Sequence, residues 1–198
     1  MGLSSSDRNG PQASTPARLS RTRDLVLGGL MIALGVLAPI AFHAVGWGGP
    51  VFLPMHLPVL IAGLLVSWRV AVFVGLLTPV LSSVLTGMPP PLPMAPIMAV
   101  ELAVLATTAS LLRGARLSVW LAAVLAILAR IAIRPLIFVA GAPLLGLEAG
   151  LREFALITVL QGWPGIALQI ILAPTLVALI EGRRILPASQ SDEGTKSS

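Results

Sequence analysis

Apolar residues run along this chain in long blocks, broken by short polar or Pro/Gly-rich interruptions instead of alternating with polar positions. The stretch Val51–Val100 carries a single formal charge, Arg69. A hydrocarbon layer about 30 Å thick takes roughly 20 helical residues to cross, and shorter segments are accommodated where the bilayer adapts. Leu25–Phe42 meets that requirement and predicts a first span. The segment from Pro54 to Leu85 is too long for one crossing and has Trp68-Arg69 at its middle. It therefore predicts two short helices, Pro54–Ser67 and Val70–Leu85, joined by a tight turn at Arg69. Further spans are predicted over Met94–Leu112, Ser118–Val139 and Phe154–Ile180.

The interruptions agree with this division. His43 to Pro50 is a Gly-rich turn with Trp47 at the interface, and Thr86–Pro93 is a loop because successive prolines can neither donate to a helix nor continue one. Gly141–Glu153 is an external segment, with a short surface helix expected around Glu148. Residues 1–22 and 185–198 are polar and read as disordered ends around a membrane domain over 23–184. The first apolar stretch lacks a small-residue cleavage site and is expected to stay as a span instead of being removed as a signal. No tandem repeat is visible.

Composition supports lipid as the solvent. The chain of 198 residues is 56% hydrophobic and 11% charged, with a mean hydropathy of +0.95, whereas soluble domains are about 45–50% apolar and about 25% charged. The absence of cysteine excludes disulfides and thiolate metal sites. The net charge of +5 raises the question of nucleic acid, but the positions of the basic residues answer it. With the N-terminus inside, Arg8, Arg18, Arg21, Arg23, Arg69, Arg113, Arg116, Arg183, Arg184 and Lys196 are all cytoplasmic, ten of the 13 Lys and Arg residues. Only Arg152 is external, and Arg130 and Arg134 lie within the fifth span. Such asymmetry is the positive-inside pattern. The prediction is an all-α integral membrane protein, a six-helix transmembrane bundle with both termini cytoplasmic and membrane lipid, not nucleic acid, around it.

A charge at the centre of a spanning helix costs roughly 2.5–3.5 kcal/mol on insertion scales, so each polar group in the spans needs a reason. They are His56, Glu101, Arg130, Arg134, Gln161 and Gln169, with hydroxyls at Thr78, Ser82, Ser83, Thr107 and Thr108. By depth, His56, Glu101, Arg134 and Gln161 fall in the outer half of the bundle, with Arg130 one turn deeper than Arg134 on the same helix face. Trp163 sits between Gly162 and Pro164 at an expected bend. Glu101 with an arginine also fits a structural ion pair, His56 a helix-start histidine, and the two glutamines partners for the backbone around Pro164. Trp47, Trp68 and Trp120 read as interface anchors. Two arginines against one glutamate leave a surplus cation, which suits a carboxylate or another anion. His56, Ser82, Glu101, Arg130, Arg134, Gln161 and Trp163 are the expected substrate-binding residues.

The first span is rich in small residues, with Gly29 and Ala33 spaced i, i+4. Small-xxx-small patterns let helices approach closely in lipid, either within the bundle or against a separate membrane subunit. No phosphate-binding loop, His-Glu-x-x-His or Gly-x-Ser-x-Gly occurs, so no enzymatic activity and no cofactor are expected. Uphill transport would draw its energy from another protein or an ion gradient.

These features together resemble the substrate-binding S components of energy-coupling factor (ECF) transporters, the vitamin-uptake systems of prokaryotes. The resemblance spans roughly Arg23 to Arg184. It rests on the length, six spans with inner termini, the small-residue first helix, and the block Pro54-Met-His-Leu-Pro-Val-Leu-Ile-Ala-Gly-Leu-Leu65. That block continues into Val74-Gly-Leu-Leu-Thr-Pro-Val-Leu-Ser-Ser-Val-Leu-Thr-Gly-Met-Pro-Pro90 and Pro93 to Glu101. The resemblance implies a prokaryotic plasma-membrane protein that captures a vitamin-like molecule from outside and then topples onto a transmembrane coupling subunit driven by two ATPase subunits. It implies that Gly29 and Ala33 belong to the docking surface, that Thr86–Pro93 covers the pocket, and that His56, Glu101, Arg130, Arg134 and Gln161 line it. Gly29 departs from the alanine usual in that pattern. A stand-alone secondary transporter or channel subunit is the competing reading. An intramembrane enzyme built on His56 and Glu101 is a weaker one, since zinc catalysis normally takes three protein ligands.

Overall fold

A computed structural model describes residues 16–44, 54–145 and 151–183, with side chains described over 20–41, 54–137, 139 and 162–182. Every regular element among them is helical. The helices are α1 (Pro16–Ala44), α2 (His56–Leu65), α3 (Trp68–Thr86), α4 (Met94–Gly114), α5 (Val119–Leu145) and α6 (Leu151–Arg183). Five of the six are long and apolar enough to cross a membrane. Their outward faces are apolar: Leu25, Leu30 and Leu37 on α1, Phe73 and Val84 on α3, Leu128 and Leu136 on α5, and Ile171 and Leu179 on α6 are all exposed. A water-soluble bundle turns such residues inward, so lipid is what these faces are built to meet.

The exception among the six is α2. Its 10 residues rise only about 15 Å at 1.5 Å per residue, half the thickness of the hydrocarbon layer, where the sequence predicts a short span over Pro54–Ser67. The chain turns at Pro54-Met55, and Pro58 falls within the first turn, where the amide it lacks has no helical partner in any case. At the other end Val66 and Ser67 are extended, and that break starts α3. What α2 loses in length it makes up in position, because it packs against each of the other five helices. His56, Pro58, Val59, Leu60, Ile61, Ala62, Gly63 and Leu64 are all buried. Around it α1, α3, α4, α5 and α6 form an arc in which neighbours α1–α3, α3–α4, α4–α5 and α5–α6 touch. Among the described residues α1 and α6 do not meet.

Small residues bring the backbones together. A Cβ added to Gly63 would lie 2.5 Å from the Ala106 carbonyl oxygen on α4, and one added to Gly75 on α3 would lie 2.5 Å from Cα of Ala103. Gly28 and Gly35 of α1 give the same access to Val70, Val74 and Thr78 of α3. The core that results is Val59, Leu60 and Ala62 of α2 with Leu102, Leu105, Ala106 and Ala109 of α4, Ala122, Ala123 and Ala126 of α5, and Ala173 and Val177 of α6.

Four polar contacts tie one end of the bundle. The Ser67 amide donates to Asp24 Oδ2 at 2.9 Å, and the Ser110 hydroxyl donates to the Val66 carbonyl at 2.7 Å. Arg113 pairs with Glu181 at 2.6 Å and donates to the Leu117 carbonyl at 3.0 Å. The first turns of the apolar part of α1, the α2–α3 and α4–α5 junctions, and the end of α6 therefore share one face. It is the face that carries Arg21, Arg23, Arg69, Arg113 and Arg116, with Arg69 stacked over Trp68 at 5.5 Å. By the positive-inside rule this face is cytoplasmic.

Several boundaries differ from those expected on sequence, three of them as follows. Helix α1 begins at Pro16 and not after residue 22, because Pro at the first helical position is pre-organised and no helix breaker follows before Gly28. Helix α5 continues six residues past Val139, to Leu145, and α6 begins at Leu151, three residues before Phe154. Apolar content alone does not mark where a helix passes out of the hydrocarbon layer. The expected turn over 45–53 and surface helix around Glu148 lie outside the described residues.

Candidate functional site

The intramembrane polar groups gather in one layer. Measured along the helices from the basic face, Glu101 lies 12 residues before Arg113, Arg130 11 after Val119, Gln169 12 before Glu181 and His56 11 before Ser67. At 1.5 Å per residue each stands about 16–18 Å from that face, near the middle of the hydrocarbon layer. Arg134 is one turn further out.

Each helix turns its polar member inward. On α5 a strip runs Ala122, Ala126, Arg130, Arg134 in steps of four, and Arg130 is 4% exposed. On α4 Glu101 is 1% exposed beside Leu102 and Leu105. His56 is the first residue of α2 and is buried at the centre of the bundle.

Arg134 and Glu101 form an ion pair joined by one hydrogen bond. Nε of Arg134 lies 3.2 Å from Oε1 of Glu101, and Nη1 donates to Oε2 at 3.3 Å. This geometry commits the one carboxylate described in the layer to Arg134. Arg130 has no such partner: its Nε lacks a hydrogen bond, and no carboxylate pairs with it among the described residues. Glu101 and His56 each interact electrostatically with both arginines, which places the four charged or polar groups in one field.

Two further buried groups are unsatisfied among the described residues. Both ring nitrogens of His56 and both amide atoms of Gln169 lack a hydrogen-bond partner among the described residues. A buried polar atom left unpaired costs about 1–3 kcal/mol, so the layer holds several such costs at once. Gln169 is fully buried on the face of α6 that also carries Gly162, Gly165, Ala173 and Val177. In the sequence it is one of two intramembrane amides, with Gln161. The spacing of small residues at 162, 165 and 173 around it is the signal that singles it out.

Of the remaining expected site residues, Ser82 and Trp163 do not join the layer. The Ser82 hydroxyl donates to the Met88 carbonyl at 2.7 Å, and Thr86 donates back to the Ser82 carbonyl at 2.7 Å, so Ser82 fastens the Thr86–Pro93 loop to the end of α3. Thr78 is buried but bonded to the Val74 carbonyl of its own helix. Trp163 is 65% exposed on the outside of α6, away from the face of Gln169. The side chain of Gln161 lies outside the described residues. On α1, Gly29 and Ala33 are exposed, and nothing stands within 4 Å of a Cβ placed on Gly29. The packing role falls to Gly28 and Gly35, one position before Gly29 and two positions after Ala33. The described residues hold no group of three metal-ligating side chains.

Compared with family models, curated proteins and solved structures, the chain matches none of them.

Proposed function

We propose that this protein is the substrate-binding membrane subunit of an ECF-type importer. In this reading it captures a small, vitamin-like anionic solute from outside and docks on a transmembrane coupling subunit powered by two separate ATPase subunits. The observation that carries the reading is the surplus cation at mid-depth: Arg130 is buried without a carboxylate among the described residues, while Glu101 pairs with Arg134. Holding an unpaired guanidinium inside a bilayer is costly, and a bound anion offsets that cost. The exposed, small-residue face of α1 at Gly29 and Ala33 fits the docking step, since close helix approach in lipid takes small side chains. The resemblance of the 54–101 block supplies the family context.

The test is mass spectrometry of the small molecules released on denaturing the detergent-purified protein, alongside co-purification with co-expressed coupling and ATPase subunits. A near-stoichiometric compound, lost in Arg130→Ala, together with a stable complex is expected. A protein that carries and binds no solute and associates with no coupling subunit overturns the proposal.

A further inference from the structure

The polar layer specifies the chemistry of its occupant more narrowly than "anionic solute", on the premise that the chain is a substrate-binding subunit. We infer that the ligand carries one carboxylate, and no second negative charge, together with a neutral amide or hydroxyl group.

Charge sets the first condition. With His56 as neutral imidazole, the described residues of the layer set Arg130 and Arg134 against Glu101, one net positive charge. A single carboxylate closes that balance. A neutral ligand leaves Arg130 uncompensated, and a dianion such as a phosphate monoester leaves an excess anion, either of which buries an unpaired charge. The geometry agrees with the count. Glu101 already pairs with Arg134, which leaves the planar fork of Arg130 to meet a carboxylate with two parallel hydrogen bonds.

A second observation lies at the start of α2. This helix begins at mid-depth, in the centre of the bundle, and the side chain at its N-cap position, Met55, makes no capping hydrogen bond. The amides of its first turn and the positive end of its dipole are therefore directed into the same layer as Arg130, and both favour an anion. Neither feature is produced by the core packing, which Val59, Leu60 and Ala62 supply further along the helix.

The neutral part is set by the atoms that charge does not use. Gln169 offers two donors and an acceptor, and His56 one of each. Both are buried to 2% exposure or less, and neither finds a partner among the described residues. They stand on α6 and α2, which pack together, at the same depth as Arg130. An uncharged group that both donates and accepts, an amide or a hydroxyl, satisfies them without altering the charge balance. A purely hydrocarbon acid satisfies Arg130 but leaves the nitrogens of His56 and the amide of Gln169 bare.

The experiment incubates the full-length protein in lipid nanodiscs with a desalted metabolite extract of the producing cells. After washing, retained compounds are identified by mass spectrometry in both ion modes. The expected result is a retained monocarboxylate containing an amide or hydroxyl, whose methyl ester competes about 10- to 100-fold more weakly, the usual cost of a lost charged hydrogen bond. Gln169→Glu, which adds a negative charge to the layer, is expected to lose the retained acid. Arg130→Gln is expected to narrow the gap between acid and ester. Where Arg130→Gln is not monodisperse, Arg130→Lys, which keeps the charge without the fork, is read instead and is expected to weaken retention. A retained compound that is neutral, cationic or multiply anionic, or an ester that competes as well as the acid, overturns the inference while leaving the binding-subunit reading intact. If nothing is retained, His56 and Gln169 are satisfied by water and both proposals fall.

Discussion

Replacing Glu101 by leucine removes the one carboxylate described in the buried layer and takes from Arg134 its ion-pair partner. The magnitude comes from the geometry. Glu101 is 1% exposed, lies 3.2 Å from Nε of Arg134 and accepts one hydrogen bond from its Nη1 at 3.3 Å, so the lost contact is a desolvated one. Breaking a buried pair by deleting one partner costs about 3–5 kcal/mol, because the remaining charge stays buried and uncompensated. The Arg134 side chain keeps 16% of its exposure, which gives it a partial route to water and argues for the lower end, about 3 kcal/mol. For a protein of this size that is a fall in Tm of about 6–12 °C. The assay is thermal unfolding in detergent followed by loss of the monodisperse peak on size exclusion, read as a double-mutant cycle. Glu101→Leu and Arg134→Leu should each be destabilised. The Glu101→Leu/Arg134→Leu double variant should recover much of the loss, since two well-packed apolar side chains can replace a buried pair at little cost. Losses that simply add in the double variant, or a single variant within about 1 kcal/mol of the parent, would refute the coupling.

Gly75→Ala should lower stability by about 1–3 kcal/mol, because its new Cβ would press on the Ala103 backbone. The same change at the open position Gly29 should leave Tm within about 2 °C, and the contrast is read in one melting series. Because the chain contains no cysteine, single-cysteine variants report sidedness cleanly: Ser118→Cys should react with a membrane-impermeant maleimide only after the cells are opened, and Met88→Cys on intact cells. The opposite pattern would invert the topology. Arg116 adopts φ 63° at the end of α4, where its amide and that of Leu117 reach back to the Arg113 and Leu112 carbonyls in the helix-ending motif that favours glycine. Arg116→Gly should therefore raise Tm by about 2–4 °C, and no change would mean the left-handed turn carries no strain.

Much of this protein is legible without coordinates because the bilayer imposes simple rules. Long apolar blocks must be helices, since backbone amides have no water to turn to, and the sidedness of Arg69, Arg113 and Arg116 comes from their place between blocks. The costly groups, with Glu101, Arg130 and Arg134 at their head, are also readable from sequence, because each is expensive wherever its helix turns. Helix rotation is not. The period of α1 allows either Gly29 and Ala33 or Gly28 and Gly35 to face the bundle, and only packing against Val70, Val74 and Thr78 decides for the second pair. The same choice turns Trp163 outward and Gln169 inward on one helix. Two other features are tertiary. The half-length of α2 rests on its burial by all five neighbours, which supply apolar contacts that lipid would give a longer span. Which arginine is paired depends on a rise of one turn along α5, and that distance leaves Arg134 with Glu101 and Arg130 without a carboxylate.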